Sequence, residues 1–412
     1  MNEFDSPTTP LPEPLSGSVS GSFAHYTITQ RFPRIVRRTL ADNDFPPQVR
    51  QKLEVLIEEI PSARLSELDD PAAPDVQDWQ RYLNPHLKDN WLQVPWFFAE
   101  MYFYRRILAA IGFYQSGFLG GYDPFLKQKQ RVLESASDSI GNLGEQLTQA
   151  LVAWKAGSGN PRADLQQLLV LNVWGNQADL SMWAADENRP DHQDTHNQRS
   201  HLLVDDSDLV FDYLTSSQDR PLRIDFILDN YGPELVHDIG LADYLLSTKM
   251  VSRVRFHAKP APHYVSDAMI KDVHSTLAFL ADSQEKSVRE LAKRVNEHLQ
   301  AGLLDLKEDY YWTSPRLFWE MPKHIHQELS LSDLVISKGD ANYRRLAGDR
   351  NWPPTTPFKQ VMRYFPTALL ALRVHKAELA LGLSPQQVQE LDDQDPDWRF
   401  NGNWAVIQFN QS

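Results

Sequence analysis

The sequence predicts an α/β protein: a Rossmann-like three-layer α/β/α domain with a mainly parallel sheet, preceded by an all-helical N-terminal domain. Short β-rich runs, such as residues 222–228, end in sharp turns and are followed by apolar residues at helical spacing. Residues 46–173, by contrast, show helical periodicity with little strand-like alternation. We therefore expect a flexible tail at residues 1–24, a helical domain at 25–205 and an α/β domain at 206–412.

The charge and the composition exclude several classes of protein. The 412 residues include 41 Lys and Arg against 55 Asp and Glu, which gives a formal net charge of -14, and there is no cysteine. An acidic chain repels phosphate backbones at long range, so we expect no nucleic-acid partner. Without cysteine there is no disulfide and no Cys-ligated zinc. The first residues lack the apolar run of a signal peptide or membrane helix, so we expect a cytoplasmic protein that does not bind membranes.

The helical part contains charged residues with two interpretations each. Residues 27–38 are basic, and Arg31 or Arg34 either contacts a substrate or belongs to a solvated helix face. Residues 96–114 are apolar nearly all round, which predicts a buried helix. Glu100 and the pair Arg105-Arg106 on that helix would form a buried ion pair or the wall of an active site.

The junction between the two parts is polar. Asn176 and Asp179 follow Trp174-Gly175 and are either helix caps or side chains that reach a site across the junction. The stretch from 183 to 201 contains His192, His196 and His201. The first two are four residues apart, as in zinc sites on helices, but no helical periodicity surrounds them, so a surface loop is the favoured interpretation.

Acidic and amide residues follow the first two strands of the predicted sheet. Asp229-Asn230 comes directly after residues 222–228, and Asp267 holds a comparable place after residues 253–258. The carboxyl ends of parallel strands share one crevice, so these three side chains should face one small volume. Their oxygen atoms suit a hard divalent cation such as Mg²⁺ or Mn²⁺. The alternative is turn chemistry at Asp229-Asn230 and a helix N-cap at Asp267.

Two later strands end in further charged groups. Residues 334–337 lead into Asp340 with Asn342 and the cation Arg344, and residues 367–372 end at Arg373 and Lys376. A last strand at 404–409 is expected to close the sheet at an edge. Acids at two strand ends and cations at the others suit a phosphomonoester, whose transfer depends mainly on positioning and charge neutralisation. There is no Walker P-loop and no Gly-x-Gly-x-x-Gly motif.

Several blocks, in the right order, resemble one known family. They are Asp229-Asn-Tyr-Gly-Pro-Glu-Leu-Val-His-Asp238, Leu241-Ala-Asp-Tyr-Leu-Leu246, Tyr264-Val-Ser-Asp267, Ser337-Lys-Gly-Asp-Ala-Asn-Tyr-Arg-Arg-Leu-Ala-Gly-Asp-Arg-Asn-Trp352 and Arg373-Val-His-Lys376-Ala-Glu378. These blocks, with similar ones at 96–106 and 173–181, resemble the damage-control phosphatase family. The closest likeness is to its sugar-phosphate phosphatase subfamily III, whose animal members are also called acidic residue methyltransferase 1.

The resemblance implies roles for particular residues. Asp229, Asn230 and Asp267 would be the catalytic residues and the metal ligands of the α/β domain. The implied substrate-binding residues are Glu234, Asp340, Asn342, Tyr343, Arg344, Arg373 and Lys376, with Asn176 and Asp179 from the junction. One departure concerns the basic signature, which is Arg-Thr-x-Lys in the subfamily and Arg373-Val-His-Lys376 here. Both cations remain, and only the hydrogen bond of the Thr hydroxyl is lost.

The resemblance also implies an activity. It is a metal-dependent phosphatase acting on phosphomonoesters of small metabolites, with sugar phosphates such as fructose 1-phosphate or fructose 6-phosphate as substrates. Mn²⁺ or Ni²⁺ is the expected metal, with Mg²⁺ or Co²⁺ as alternatives. A water activated by the metal is favoured as nucleophile over an aspartyl-phosphate, because Asp229-Asn230-Tyr231 lacks Asp-x-Asp spacing.

Two other functions stay open. One is an S-adenosylmethionine-dependent protein-glutamate O-methyltransferase, as the second family name suggests, although the turn after residues 222–228 carries a single Gly232 and no glycine-rich loop. The other is a non-catalytic interaction protein, which would leave the clusters of acids and cations unexplained.

Overall fold

The structure, a computed structural model, describes residue 7 and residues 10–175, 199–216 and 220–411. Within these ranges seven strands form one sheet in the order β1-β7-β6-β5-β2-β3-β4. The strands are β1 (Leu202–Asp205), β2 (Arg223–Ile227), β3 (Arg253–Ala258), β4 (Leu304–Glu308), β5 (Leu334–Lys338), β6 (Ala368–Val374) and β7 (Ala405–Asn410). All neighbouring pairs are parallel except β6 and β7. The predicted α/β fold with a mainly parallel sheet is confirmed.

Helices occupy most of the chain before the sheet and connect most of its strands. In chain order the helices are α1 (Phe23–Tyr26), α2 (Phe32–Asp42), α3 (Pro47–Glu59), α4 (Val76–Leu83), α5 (Trp96–Ile111), α6 (Leu126–Ser135), α7 (Ser137–Lys155), α8 (Pro161–Trp174), α9 (Ser207–Ser216), α10 (Pro233–Ser247), α11 (Ile270–Ala281), α12 (Lys286–Gln300), α13 (Lys323–Ser330), α14 (Asp340–Ala347), α15 (Phe358–Met362) and α16 (Pro385–Gln394). A π-helical turn, Thr27–Arg31, joins α1 to α2. No helix in the described ranges combines the length and the apolar character needed to cross a membrane.

Two apolar clusters cover the two faces of the sheet. Side chains alternate between the faces of a strand, so Ile224 and Phe226 of β2 lie on one side and Ile227 on the other. The cluster around Ile224 and Phe226 includes α7, α8 and α9–α12. The cluster around Ile227 includes α2–α5 and α13–α15. The result is three layers, with helices on both faces of the sheet.

Three features differ from the expected organisation. Part of the expected tail is packed, because Leu15 is buried, its N–H donates to Asp349 O (2.8 Å), and its carbonyl accepts from Trp96 N–H (2.8 Å). β1 lies before residue 206 and still pairs with β7 in the sheet. β7 consequently lies inside the sheet and β1 at its edge, which corrects the edge position expected for residues 404–409. β1 has only four residues, which is too short for an alternating pattern to be recognised in the sequence.

Candidate active site

The loops after β2 and β3 are joined by backbone hydrogen bonds. Asp229 O accepts from Ala268 N–H (2.7 Å), and Tyr231 N–H donates to Ser266 O (2.7 Å). Asn230 and Asp267 form an isolated antiparallel bridge between the same two loops. The two carboxylates and the amide expected to meet therefore do meet at the carboxyl edge of the sheet, and all three side chains are buried.

Hydrogen bonds fix the orientation of the Asn230 amide. Its Nδ2 donates to Asp229 Oδ2 (2.8 Å) and to Glu234 Oε2 (2.9 Å), while its Oδ1 accepts from Ser266 Oγ (2.5 Å). Glu234 lies in the first turn of α10, directly after the turn formed by residues 231–233. The amide thus links the β2 loop to the start of the following helix and keeps its oxygen on the side of Ser266.

Two buried lysines hold the loop that carries Asp267. Lys259 Nζ lies 3.3 Å from Asp267 Oδ2 and donates to Leu228 O (3.0 Å). Lys129 Nζ, on α6, donates to Asp267 O (2.9 Å) and to Asp272 Oδ2 (2.9 Å). These lysines offset part of the negative charge that the fold concentrates at this edge.

The donor atoms fit an oxygen-liganded divalent cation. In the described part of the chain no group of three or more His, Cys, Asp or Glu is arranged to hold a metal. The ligands that the family resemblance implies are two carboxylates and one amide. Asp229, Asn230 and Asp267 offer only oxygen to a cation, and hard cations such as Mg²⁺ and Mn²⁺ prefer such ligands and keep positions open for substrate. Soft metals would find no thiolate or imidazole here.

The loop after β5 presses against Asp229. Gly339 has φ +84°, and a Cβ added there would lie 1.9 Å from Asp229 Oδ2, so this position requires glycine for both reasons. Asp340 begins α14, and its Oδ1 accepts from Arg373 Nε (2.8 Å) and from the backbone N–H of Lys376 (3.2 Å). Asp340 therefore ties the end of β5 to the end of β6.

These strand ends surround a small pocket that is partly open to solvent. Six of the proposed site residues line it: Asp229, Asn230, Asp267, Asp340, Arg344 and Lys376. The other lining residues are Phe23, Arg31, Trp96, Glu100, Tyr264 and Ala341. Half of the wall thus comes from residues outside the proposed set, and four of these precede the sheet in the chain.

Four proposed substrate-binding residues lie behind the wall. Asn342 Nδ2 donates to Lys338 O (2.8 Å), and the Tyr343 hydroxyl donates to Gln408 Oε1 (2.7 Å). Glu234 holds the Asn230 amide, and Arg373 donates to Leu379 O (2.6 Å) as well as to Asp340. The described contacts of these four residues are hydrogen bonds to other protein groups, which hold the wall in place.

Arg344 and Glu100 form one buried network in the wall. Arg344 donates through Nε and Nη2 to the two oxygens of Asp349 (2.8 Å each) and through Nη1 to Glu100 Oε2 (2.5 Å). Its guanidinium lies 3.5 Å from the ring centroid of Trp96. Glu100 also accepts from the Tyr264 hydroxyl (2.8 Å). Burial raises the pKa of Glu100, although Arg344 and Arg31 act in the opposite direction. Glu100 is thus both a buried ion-pair partner and a wall residue.

The neighbouring arginines of α5 have other partners. Arg105 pairs with Asp70 (2.9 Å) and Asp75 (3.0 Å), and Arg106 pairs with Glu59 (2.7 Å). Neither contributes to the pocket lining. The buried ion pair is therefore the interpretation that agrees with the structure for Arg105, whereas the ion pair of Arg106 is half-buried.

A second buried lysine network lies beneath Glu234. Lys338 Nζ is 3.4 Å from Glu234 Oε1 and 3.5 Å from Asp238 Oδ1, and it donates to Asn172 Oδ1 (2.5 Å). Burial raises the pKa of Asp238 to about 6, despite the opposing effect of Lys338. The network connects α8 and α10 to the end of β5, and so supports the wall from behind.

The junction residues are only partly described. Asn176, Asp179, His192 and His196 lie outside the described residues. Gly175, directly before them, is close to α10, because a Cβ added there would lie 3.2 Å from Glu234 Cα. His201 packs its ring against Trp404, with 5.0 Å between the ring centroids.

The fold and the site together define an α/β protein with a pocket of buried carboxylate, amide and cationic groups at the carboxyl edge of its sheet. A model of the damage-control phosphatase ARMT1-like domain matches residues 27–391. The chain belongs to this family, which confirms the resemblance seen in its sequence blocks.

Similar proteins are known from several animals. Damage-control phosphatase ARMT1 of Danio rerio is 32% identical, with 97% of each chain covered. The proteins of the same name from Rattus norvegicus and Homo sapiens are 30% and 29% identical, and the matches cover 96% and 97% of this chain and 98% and 99% of those proteins. The crystal structure of a DUF89 family protein from Pyrococcus horikoshii matches with a TM-score of 0.48 and 14% identity, covering 94% of this chain and 98% of that one.

Proposed function

We propose that this protein is a metal-dependent phosphatase that hydrolyses phosphomonoesters of small metabolites, with sugar phosphates such as fructose 1-phosphate and fructose 6-phosphate as substrates. The observation that carries the proposal is the meeting of Asp229, Asn230 and Asp267 with Lys376 in one pocket. The names of the curated relatives, damage-control phosphatases, support the same activity.

Asp229, Asn230 and Asp267 are the proposed ligands of the metal. A bound divalent cation would offset negative charge on the phosphoryl oxygens, which is the main requirement of phosphoryl transfer. The oxygen donors suit Mn²⁺ and Mg²⁺, and the family resemblance adds Ni²⁺ and Co²⁺ as candidates.

The other residues of the pocket bind and orient the substrate in this proposal. Lys376 supplies a cation for the phosphate, and Asp340 fixes the loop that carries Lys376 by accepting its backbone N–H. The remaining acceptor positions of Asp340 suit the hydroxyls of a sugar. A site that hydrogen-bonds these hydroxyls distinguishes a sugar phosphate from an analogue that lacks them. Trp96 and Tyr264 cover the pocket with aromatic surface and limit the access of water.

The test is hydrolysis across a panel of phosphoesters, with and without metal. We expect activity to disappear after exhaustive EDTA treatment and to return with Mn²⁺, Ni²⁺, Mg²⁺ or Co²⁺. Fructose 1-phosphate and fructose 6-phosphate should be cleaved with a higher kcat/KM than p-nitrophenyl phosphate. Full activity after removal of metal would contradict the proposed chemistry, and equal kcat/KM for sugar and aryl phosphates would contradict the proposed substrate class.

Two substitutions test the metal ligands. Asp229→Ala and Asp267→Ala should each lower kcat at least about 100-fold, the size of effect seen when one key electrostatic group is removed. Asp282→Ala is the matched control, because this exposed aspartate ends α11 away from the pocket. Near wild-type rates in either pocket variant would reassign that residue to capping or turn formation.

A further inference from the structure

The N-terminal segment, residues 10–31, forms part of the wall of the pocket. Phe23 and Arg31 both line it. The segment is held at several points: Leu15 bonds to Asp349 and Trp96 as described above, and Phe23 N–H donates to Glu378 Oε1 (2.9 Å). The Phe23 ring also stacks on Phe400, with centroids 5.3 Å apart and planes 14° apart.

The π-helical turn gives Arg31 a defined position at the inner end of this segment. Turns of this kind are rare in proteins and occur frequently at functional sites. Arg31 is 8% exposed, and its Nη1 donates to Thr27 Oγ1 (3.2 Å) across the turn. Its guanidinium carbon lies 5.5 Å from the centroid of the Phe23 ring. These contacts fix the orientation of the side chain at the wall of the pocket.

The cations that line the pocket suggest a role for Arg31 in binding an anion. Three cations line the wall: Arg31, Arg344 and Lys376. Arg344 makes a two-point pair with Asp349 and a further bond to Glu100, so two carboxylates already offset its single charge. A phosphate monoester is close to doubly charged at neutral pH. Besides Arg344, the cations Arg31 and Lys376 line the same pocket as Asp229 and Asp267.

We propose that Arg31 binds the phosphate group of the substrate, and that the N-terminal segment is thus a working part of the site. The inference rests on the proposed phosphatase function and deepens it. Arg31 reaches the pocket from the N-terminal segment, whereas Lys376 follows β6 of the sheet, so the two cations meet the phosphate from different walls. The planar guanidinium offers two parallel N–H groups to a phosphate, which an ammonium does not.

The experiment compares Arg31→Gln and Arg31→Lys with wild type. Arg37→Gln is the matched control, because Arg37 is an exposed arginine on α2, the next helix. Four quantities are measured: KM and kcat for fructose 1-phosphate, the inhibition constant of inorganic phosphate, and the rise in Tm caused by inorganic phosphate. The last two report binding and do not depend on turnover of a sugar substrate.

Arg31→Gln should raise KM and the inhibition constant of phosphate at least about 10-fold, as expected for loss of a hydrogen bond between charged groups. The phosphate-induced rise in Tm should shrink accordingly. Arg31→Lys should raise KM and the inhibition constant of phosphate by a smaller factor of about 3-fold or more, because lysine keeps the charge but lacks the two parallel N–H groups of the guanidinium. Arg37→Gln should match wild type in all four quantities.

Unchanged phosphate binding in Arg31→Gln, with or without a lower Tm, would overturn the proposal and make Arg31 a structural residue. Should Arg31→Gln fail to fold, Arg31→Lys decides, and a wild-type inhibition constant in that variant overturns the proposal. A wild-type protein that binds phosphate but hydrolyses no phosphoester would contradict the proposed function alone, and Arg31 would still be tested by phosphate binding. A wild-type protein that binds no phosphate would overturn both.

Discussion

At the scale of single residues, Arg344 lines the pocket but has the contacts of a structural ion pair. Its substitution to Gln would leave Asp349 and Glu100 buried without their cation. We expect a loss of about 3–5 kcal/mol in the free energy of unfolding, measured by urea denaturation. Lys376→Gln is the companion variant, and its main expected effect is an increase of at least about 10-fold in KM for phosphoesters. Wild-type stability in Arg344→Gln, together with lost phosphate binding, would instead make Arg344 a ligand-binding residue.

Asp238 should make the stability of the protein depend on pH. Its pKa is about 6 in the folded protein, above the ordinary value for Asp, because burial disfavours the charged form. Between about pH 4 and about pH 6 the folded state therefore holds a proton that the unfolded state has lost. The free energy of unfolding consequently decreases as pH rises through this range. A difference of about two pKa units corresponds to about 3 kcal/mol.

The test is a comparison of wild type with Asp238→Asn at pH 4.5 and pH 8. The free energy of unfolding of the variant, minus that of wild type, should increase by about 2 kcal/mol between these pH values, because part of the titration lies below pH 4.5. Using the difference between the two proteins cancels the other titrating groups. A constant difference would show that Asp238 stays ionised over this range.

Single residues also show what the sequence could and could not predict. The meeting of Asp229, Asn230 and Asp267 was predictable, because each follows a strand and parallel strands end at one edge. Arg373 also follows a strand, but the position did not reveal that its side chain turns to Asp340 and Leu379. Lys129 lies among other cations on a polar helix, and its partner Asp272 is 143 residues away, so nothing local marks it as buried.

At the scale of elements, the turn between β5 and α14 should tolerate no side chain at Gly339. In Gly339→Ala the new methyl group would displace the Asp229 carboxylate, so we expect at least about a 100-fold loss of kcat. Gly302→Ala is the matched control, because Gly302 also has positive φ (+68°) but no atom within 4 Å of an added Cβ. The control should lose about 1 kcal/mol of stability and keep its activity. Equal kcat in the two variants would show that the contact with Asp229 does not matter.

The elements that sequence predicted best are the strand-turn-helix units. β2 with α10 and β3 with α11 have long apolar patterns that reflect burial on both faces of the sheet. β4 was not predicted because it is an edge strand in which only two of the five residues are apolar. The packed part of the N-terminal segment was missed for another reason: its bonds to Asp349 and Glu378 depend on residues more than 300 positions away.

At the scale of the whole molecule, the proposed division at residue 206 can be tested with the fragment 206–412. α7 and α8 belong to the cluster on one face of the sheet, and α2–α5 belong to the cluster on the other face. Without them both faces would lose apolar cover. We expect the fragment to show no cooperative urea transition, whereas the full chain unfolds with its two parts coupled. A fragment that unfolds cooperatively would support an independent α/β domain.

The pairing of β1 with β7 sets an order in which the molecule can be completed during synthesis. β2, β3 and β4 follow one another and can pair as they leave the ribosome, but Leu202 of β1 lies opposite Ala405 of the last strand. The stacking of Phe23 on Phe400 likewise cannot form until residue 400 has been synthesised, so this contact of the N-terminal segment also forms late. A nascent chain therefore carries an open sheet edge and an unfinished pocket until its last residues emerge. Translation that stops before β7 would yield a chain without the finished site.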